Sequence, residues 1–529
     1  MMKGIITAQE AAALIPDGAT VGIAGMGLSG WPEEIACAVR DRFRETGHPC
    51  DLNLKQGSAM GDWRERGVTR LGEAGPGLVT CWSGAHIGSA FTLRSLAVKN
   101  QLQCHCLPQG VIVNLWREIA AGRPGLLSKV GLGTFVDPRL EGGRMNSCTT
   151  DELVKLVEFE GEEYLFYKGF QLDVALLRGT IADENGNISF EHESVLNEGL
   201  AVAAAAKNCG GIVIVQVEYI TKKETINPKD VKIPGILVDY VVQAANKESC
   251  WQAEGVYWEP AFSGHIRKPL SAIQPLPLDE RKVICRRCAM EVNSGDVVNL
   301  GIGMPADMAG VVAEEGYIDH MTLTTESGMV GGIPSALPNF GSAFNPDAVM
   351  EHGAMFDFID GGGLDMTCLG IGEIDQFGNN NVSKLGSRLT GPGGFINITR
   401  ATPRIIFCGT FMGKAELKIN DGRISVVKEG TIKKFVQDVE QITFAGQYIQ
   451  PGQSVLYVTE RCVFRLIGGK MTLVEIAPGI DLEKDILAQM DFVPEIAANV
   501  EIMDAGIFRE SWGGLGKYIE AGGNEHDFI

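Results

Sequence analysis

No apolar run in this sequence approaches the roughly 18 residues that a membrane span needs. The opening Met1-Met2-Lys3-Gly4-Ile5-Ile6 also lacks the long apolar core of a secretory signal. An excess of positive charge is missing too: 46 Lys and Arg stand against 66 Asp and Glu, for a net charge of -20. That balance excludes the basic face that a nucleic acid or an anionic membrane would require. The 13 cysteines lack the regular spacing of a disulfide-stapled secreted domain. A cytoplasmic protein with neither nucleic acid nor membrane as partner is expected. Metal motifs are incomplete. Cys285-Arg286-Arg287-Cys288 has metal-like spacing but no second pair, and Cys104-His105-Cys106 is too tight for a zinc knuckle. Glu373 and Asp375, near Asp365, read as loop carboxylates at strand ends. No metal site is expected.

What the sequence does have is length. At 529 residues it exceeds what one ordinary core organises, so two large domains are expected. Hydrophobic residues at 45% and charged residues at 21% fit a globular protein. The 67 glycines suit many tight strand-to-helix turns. The chain also repeats itself. Asp17-Gly18-Ala19-Thr20-Val21-Gly22-Ile23 runs into a Gly-rich loop, and so does Ser294-Gly295-Asp296-Val297-Val298-Asn299-Leu300. Leu172-Asp173 leads through Leu176-Leu177 to Asp183-Glu184-Asn185-Gly186-Asn187. Leu364-Asp365 leads through Cys368-Leu369 to Asp375-Gln376-Phe377-Gly378-Asn379. The second pair keeps a constant offset of 192 residues and the first an offset of 277, so the first copy carries 85 more residues between its motifs.

Glu259 to Leu278 contains Pro260, Pro269, Pro275 and Pro277, which remove N–H donors and read as a linker. The expected organisation is therefore an amino-terminal domain over 1–258, a linker over 259–278 and a carboxyl-terminal domain over 279–529. A helix should open near Asp279 and run through Met290. Buried strands are expected at Val21–Ala24, Leu52–Leu54, Val174–Leu177, Gly211–Val217, Val297–Leu300, Met321–Thr324, Met366–Leu369 and Arg404–Phe407. Helical patterns lie between them, as at Pro32–Arg44 and Asn197–Ala206. The fold class is α/β: two similar open, mainly parallel sheets from an internal duplication. Ligands bind such sheets outside the carboxyl ends of the strands.

One carboxylate falls at such an end. In Leu323-Thr324-Thr325-Glu326-Ser327-Gly328-Met329-Val330, small residues surround Glu326 and leave room for a large ligand. A carboxylate nucleophile needs that setting, with N–H groups nearby to hold a developing oxyanion. Laying Leu52–Met60 over Met321–Met329 sets Gly57 opposite Glu326, so only the second copy carries the reactive group.

The sequence resembles the 3-oxoacid (family I) CoA-transferases over nearly its whole length. The matching motifs are Glu326-Ser327-Gly328, Gly301-Ile302-Gly303-Met304-Pro305, Asp360-Gly361-Gly362-Gly363-Leu364-Asp365, Asn381-Val382-Ser383-Lys384-Leu385-Gly386 and Gly391-Pro392-Gly393-Gly394-Phe395-Ile396-Asn397-Ile398. The first half adds Leu107-Pro108-Gln109-Gly110 and Gly133-Thr134-Phe135-Val136-Asp137-Pro138-Arg139. The single-chain acetate or propionate type is the nearest kind. The resemblance implies reversible ping-pong transfer of coenzyme A from an acyl-CoA to a short-chain carboxylic acid. Glu326 forms a glutamyl-CoA thioester, and the Gln109 side-chain amide and the Gly394 backbone N–H serve as oxyanion donors. It implies coenzyme A as substrate, no cofactor, and a homo-oligomer, tetramer or dimer. Gly27, Gly303, Met304, Gly328, Met329 and Lys384 are the candidate substrate- and CoA-binding residues. Val330 and Phe340 are further apolar lining, and Arg388 joins Lys384 as a possible partner of the CoA phosphates.

Three rivals remain. An acyl-CoA hydrolase would use water as final acceptor. A non-catalytic protein would bind coenzyme A without exchange. A nicotinamide-dependent dehydrogenase is suggested by Gly25-Met26-Gly27-Leu28-Ser29-Gly30, which matches G-x-G-x-x-G. The next strand ends in Lys55-Gln56-Gly57, however, where that fingerprint needs an acidic residue for the ribose.

Overall fold

The computed structural model describes residues 4–269, 275–335 and 339–520. The expected linker falls partly outside them, at 270–274. Within its described part, Arg267 reaches Asp347, and the Lys268 N–H donates to the Asn345 side chain at 2.7 Å, so this stretch is laid against the second half. The helix after it runs Glu280–Ala289, capped by the Asp279 carboxylate accepting from the Lys282 N–H.

Two large sheets organise the chain. The first has eight strands in the order Gly4–Ile6, Tyr240–Gln243, Ile212–Val217, Val174–Arg178, Thr20–Ile23, Leu52–Gln56, Val79–Gly84 and Gln103–Cys106, all parallel. The second has ten, in the order Ala348–Val349, Met329–Val330, Met321–Thr324, Asp296–Leu300, Met366–Gly370, Arg404–Cys408, Ser454–Val458, Cys462–Ile467, Lys470–Ile476 and Glu495–Ile502. Its centre, from Met321–Thr324 to Ser454–Val458, is parallel; antiparallel pairings extend it on both sides, and the edge strand Glu495–Ile502 joins Lys470–Ile476 in parallel. Val174–Arg178 and Ile212–Val217 are buried nearly throughout, as parallel strands covered on both faces must be.

The sequence repeat has a structural counterpart. Val21 pairs with Val174, and Val298 pairs with Met366. Thr20 pairs with Asn53, and Val297 pairs with Thr322. The Thr20 N–H donates to Asp173 at 2.8 Å, and the Val297 N–H to Asp365 at 2.8 Å. Asp183 accepts from the N–H groups of Asn185 and Asn187, and Asp375 from those of Phe377 and Asn379. In each case a carboxylate replaces the missing strand or turn partner of a backbone N–H. Between its two motifs the first half holds the strands Val79–Gly84 and Gln103–Cys106, the helix Gln109–Ala120, and an antiparallel trio formed by Gly125–Ser128, Glu162–Lys168 and Val154–Phe159.

In each sheet the chain reverses its direction of travel beside Thr20–Ile23 or Asp296–Leu300. A crevice is left there at the carboxyl ends of the strands. The two halves close on each other at these ends.

Candidate active site

A cavity of about 340 Å³ lies between the halves. The second half supplies Asn299, Leu300, Gly301 and Ile302 from one strand end, Leu369 and Gly370 from the neighbouring one, and Thr325 and Glu326 from a third. The first half supplies Met26, Ala59, Trp63, His86 and Gln109. The loop Thr390–Gly394 completes the wall, with Phe340, Val382, Arg388, Phe395 and Ile398.

Glu326 follows the strand Met321–Thr324 in a tight turn. The Thr325 N–H donates to the Met329 carbonyl at 3.0 Å, and the Gly328 N–H returns to the Thr325 carbonyl at 3.1 Å. Thr325 and Ser327 join their hydroxyls at 2.8 Å, and Ser327 also bonds the Gly341 carbonyl. Both neighbours of Glu326 are thereby pinned, and its side chain is left to face the cavity.

Two donors reach its carboxylate: the backbone N–H of Gly394 and the side-chain amide of Gln109. Burial pushes the Glu326 pKa from 4.5 up to about 7, against the opposing pull of His352 and these two hydrogen bonds. The approach of Gly394 is close. A Cβ built there would stand 2.1 Å from Glu326 Oε2, so any side chain would displace the carboxylate. The Gly394 loop is fixed to the first half by backbone bonds: Gly393 N–H to the Ala85 carbonyl at 2.9 Å, Ile87 N–H to the Thr390 carbonyl at 2.9 Å, and Gln109 N–H to the Gly393 carbonyl at 3.0 Å. Gln109 opens the helix Gln109–Ala120 and is 1% exposed. Glu326, Gln109 and Gly394 therefore meet at one point, drawn from both halves.

The remaining candidates divide differently. Phe340 lines the cavity. Gly27 adjoins Met26, and the Gly27 N–H bonds the Ala59 carbonyl, so this loop borders the cavity. The loop holds its shape through Glu193, which accepts from Ser29 Oγ and the Gly30 N–H at 2.7 Å each and pairs with Arg178 at 2.8 Å. Gly303, Met304, Gly328, Met329 and Val330 sit beside the cavity-lining segments rather than among the lining residues. Met329 packs instead with Val195 and Ala343. Lys384, in a short hairpin, lies 3.6 Å from Glu440, whereas Arg388 of the same hairpin lines the cavity.

Sequence reasoning missed Trp63, His86, His352 and Glu198. Trp63 and His86 meet edge-to-face at 5.2 Å, and burial lowers the His86 pKa to about 4, which leaves the ring neutral. His352 lies behind Gln109, its Nε2 3.0 Å from Gln109 Nε2 and its Nδ1 2.8 Å from Glu198. Burial pushes the His352 pKa down, and Glu198, Glu326 and Glu351 together more than offset this, so it lies above the ordinary value. Among the described residues, two groups have metal-ligand spacing: Cys288, Cys368 and Cys408 in the core, and Asp17, His48 and Cys50 near the surface. Neither includes a cavity-lining residue.

The arrangement is an ionisable carboxylate in a sheltered interdomain cavity, with two N–H donors on it. That is the equipment of an enzyme forming a covalent acyl intermediate. Residues 5–244 match the coenzyme A transferase family model. The chain is 65% identical to the caffeate CoA-transferase of Acetobacterium woodii, across 97% of this chain and 99% of that protein. It is 40% identical to the acetate CoA-transferase YdiF of Escherichia coli K12, across 95% of each. Crystal structures of the acyl-CoA transferase YdiF from Escherichia coli O157:H7, as apoenzyme and as a thioester complex with CoA, superpose with a TM-score of 0.91 at 38% identity over 97% of both chains. The chain belongs to the coenzyme A transferase family, and it is an enzyme of that kind. Among the described residues, no helix is long and apolar enough to cross a membrane.

Proposed function

We propose that Glu326 carries coenzyme A between two carboxylic acids. The ionised carboxylate attacks the thioester carbonyl of an acyl-CoA, and CoA thiolate leaves from the resulting tetrahedral adduct. A mixed anhydride remains on Glu326. The thiolate then attacks the glutamyl carbonyl, the first acid leaves as its carboxylate, and a glutamyl-CoA thioester is formed. A second carboxylate enters and the steps run in reverse. No proton is transferred, and the reaction balances without metal or redox cofactor, with coenzyme A as substrate.

The observation that carries this reading is the pair of donors on Glu326 itself. When thiolate attacks the glutamyl carbonyl, the oxyanion that develops is one of Glu326's own oxygens. The Gly394 N–H and the Gln109 amide already touch that group, so they follow the charge with little reorganisation. One such donor is typically worth about 3 kcal/mol. Enclosure between the halves favours transfer over hydrolysis of the anhydride and thioester.

For the acid, a short acetate- or propionate-like carboxylate is the first reading, supported by the similarity to acetate CoA-transferase YdiF. A planar aryl acid is the second, favoured by Trp63, His86 and Phe340 on the cavity wall and by the similarity to a caffeate CoA-transferase. The test incubates the protein with an acyl-CoA alone and seeks a CoA adduct on the Glu326 peptide by mass spectrometry. An adduct elsewhere, or none under turnover conditions, rejects the mechanism. A panel of acetate, propionate and hydroxycinnamates against the pre-formed adduct then ranks the acids.

A further inference from the structure

Behind the reacting carboxylate runs a chain of buried polar groups that the reaction as written does not use. Glu198 is 0% exposed and His352 is 1% exposed. The two meet across the halves, Glu198 at the start of the helix Gly199–Asn208 and His352 in the first turn of the helix His352–Asp360. The His352 N–H donates to the Leu196 carbonyl at 2.9 Å, which fixes the height of one helix against the other.

While His352 is neutral, the chemistry of the contacts fixes the protons. Gln109 Nε2 lies 3.0 Å from His352 Nε2. An amide nitrogen has hydrogens to give and no lone pair to offer, so the imidazole Nε2 must be the acceptor. The ring proton is then on Nδ1, where Glu198 Oε2 receives it at 2.8 Å. The same amide bonds the Glu326 carboxylate. A carboxylate only accepts, so this bond too comes from Gln109 Nε2. One hydrogen of that nitrogen is held by His352 and the other faces Glu326.

We infer that Glu198 and His352 are positioning residues that hold the Gln109 amide with its N–H toward Glu326. Without them the amide turns over at no steric cost and presents its carbonyl oxygen to a carboxylate or oxyanion, where it repels. The inference rests on the proposed role of Gln109 and adds its orienting pair. A second proton on His352 would have the same effect, because Nε2–H would then call for the amide oxygen. The groups that set this proton's affinity are Glu198, Glu326 and Glu351.

Gly57 makes the arrangement possible. A Cβ at that position would stand 2.5 Å from Glu198 Oε1. Gly57 is the residue that the internal repeat sets opposite Glu326. Where the second half carries its nucleophile, the first half leaves room for the carboxylate that orients the donor.

The experiment compares Gln109→Ala, His352→Phe and Glu198→Gln, alone and with each of the latter two combined with Gln109→Ala. It reads kcat, the KM for acyl-CoA, and the rate of CoA adduct formation at Glu326. His352→Phe and Glu198→Gln are each expected to lower kcat roughly ten- to a hundredfold with KM unchanged. In the Gln109→Ala background neither should lower it further, since both act through that amide. Glu198→Gln keeps the side-chain volume and carries the same test if the ring replacement unfolds the chain. Equal losses in the presence and absence of Gln109 overturn the inference while leaving Gln109 as donor. Wild-type kcat in Gln109→Ala rejects the donor role itself, and the orienting pair with it.

Discussion

Replacing Glu326 by Gln should inactivate the enzyme and stabilise its fold, in a pH-dependent way. Burial raises the carboxyl pKa from 4.5 to about 7. Between those values the folded chain holds a proton that the unfolded chain releases, so stability falls as pH rises through this window and levels off above about 7. At roughly 1.4 kcal/mol for each decade of proton affinity, the ionised group costs the fold about 3 kcal/mol at pH 8, and less in so far as solvent in the cavity screens it. A glutamine keeps the shape and can still accept from Gly394 and Gln109, but carries no charge to bury. Thermal melts of wild type and Glu326→Gln should coincide near pH 4.5 and separate by pH 8, with the variant higher by roughly 2–6 °C. No CoA adduct should form on the variant at any pH. A gap that does not change with pH, or a variant that melts lower at pH 8, would refute the claim that this carboxylate is held in an environment hostile to its charge.

Turnover should rise with pH through about 7, because only ionised Glu326 attacks; initial rates between pH 5.5 and 8.5 check this, and a flat profile contradicts it. Gly394→Ala places a methyl 2.1 Å from Glu326 Oε2. It should lower kcat at least a hundredfold, about 3 kcal/mol, with little change in the melting midpoint, as steady-state kinetics beside calorimetry will show. Arg178→Met strips Glu193 of its buried partner, 2.8 Å away. Chemical denaturation should register a loss of about 3–5 kcal/mol, and the freed Gly25–Gly30 loop should raise the KM for acyl-CoA.

Much of the scaffold was legible in the sequence. Val174–Arg178 and Ile212–Val217 are short apolar runs bounded by turn residues, and only a strand covered on both faces suits them. Asp173 and Asp365, at a constant offset from Asp183 and Asp375, marked the repeat because each carboxylate holds backbone N–H groups. Gln103–Cys106 escaped notice because Gln-Cys-His-Cys carries no apolar run, although three of its four residues are buried. Cys462–Ile467 and Lys470–Ile476, in the antiparallel extension, were likewise not identified. At the site, Glu326, Gln109 and Gly394 sit in long motifs and could be found. His352 and Glu198 could not, since their contacts span 243 and 154 residues and neither lies in a recognisable pattern. Lys384 drew attention by its place near a glycine-rich loop, but local sequence does not reveal that its neighbour is Glu440.

The vacancy at Gly57 bears on how many molecules one polypeptide can work on at once. Two alike halves suggest two acyl carriers, yet the volume that a second carrier at position 57 would occupy is already taken by Glu198. Labelled coenzyme A bound covalently at saturation should therefore plateau at one equivalent per polypeptide, whatever the number of subunits in the assembly.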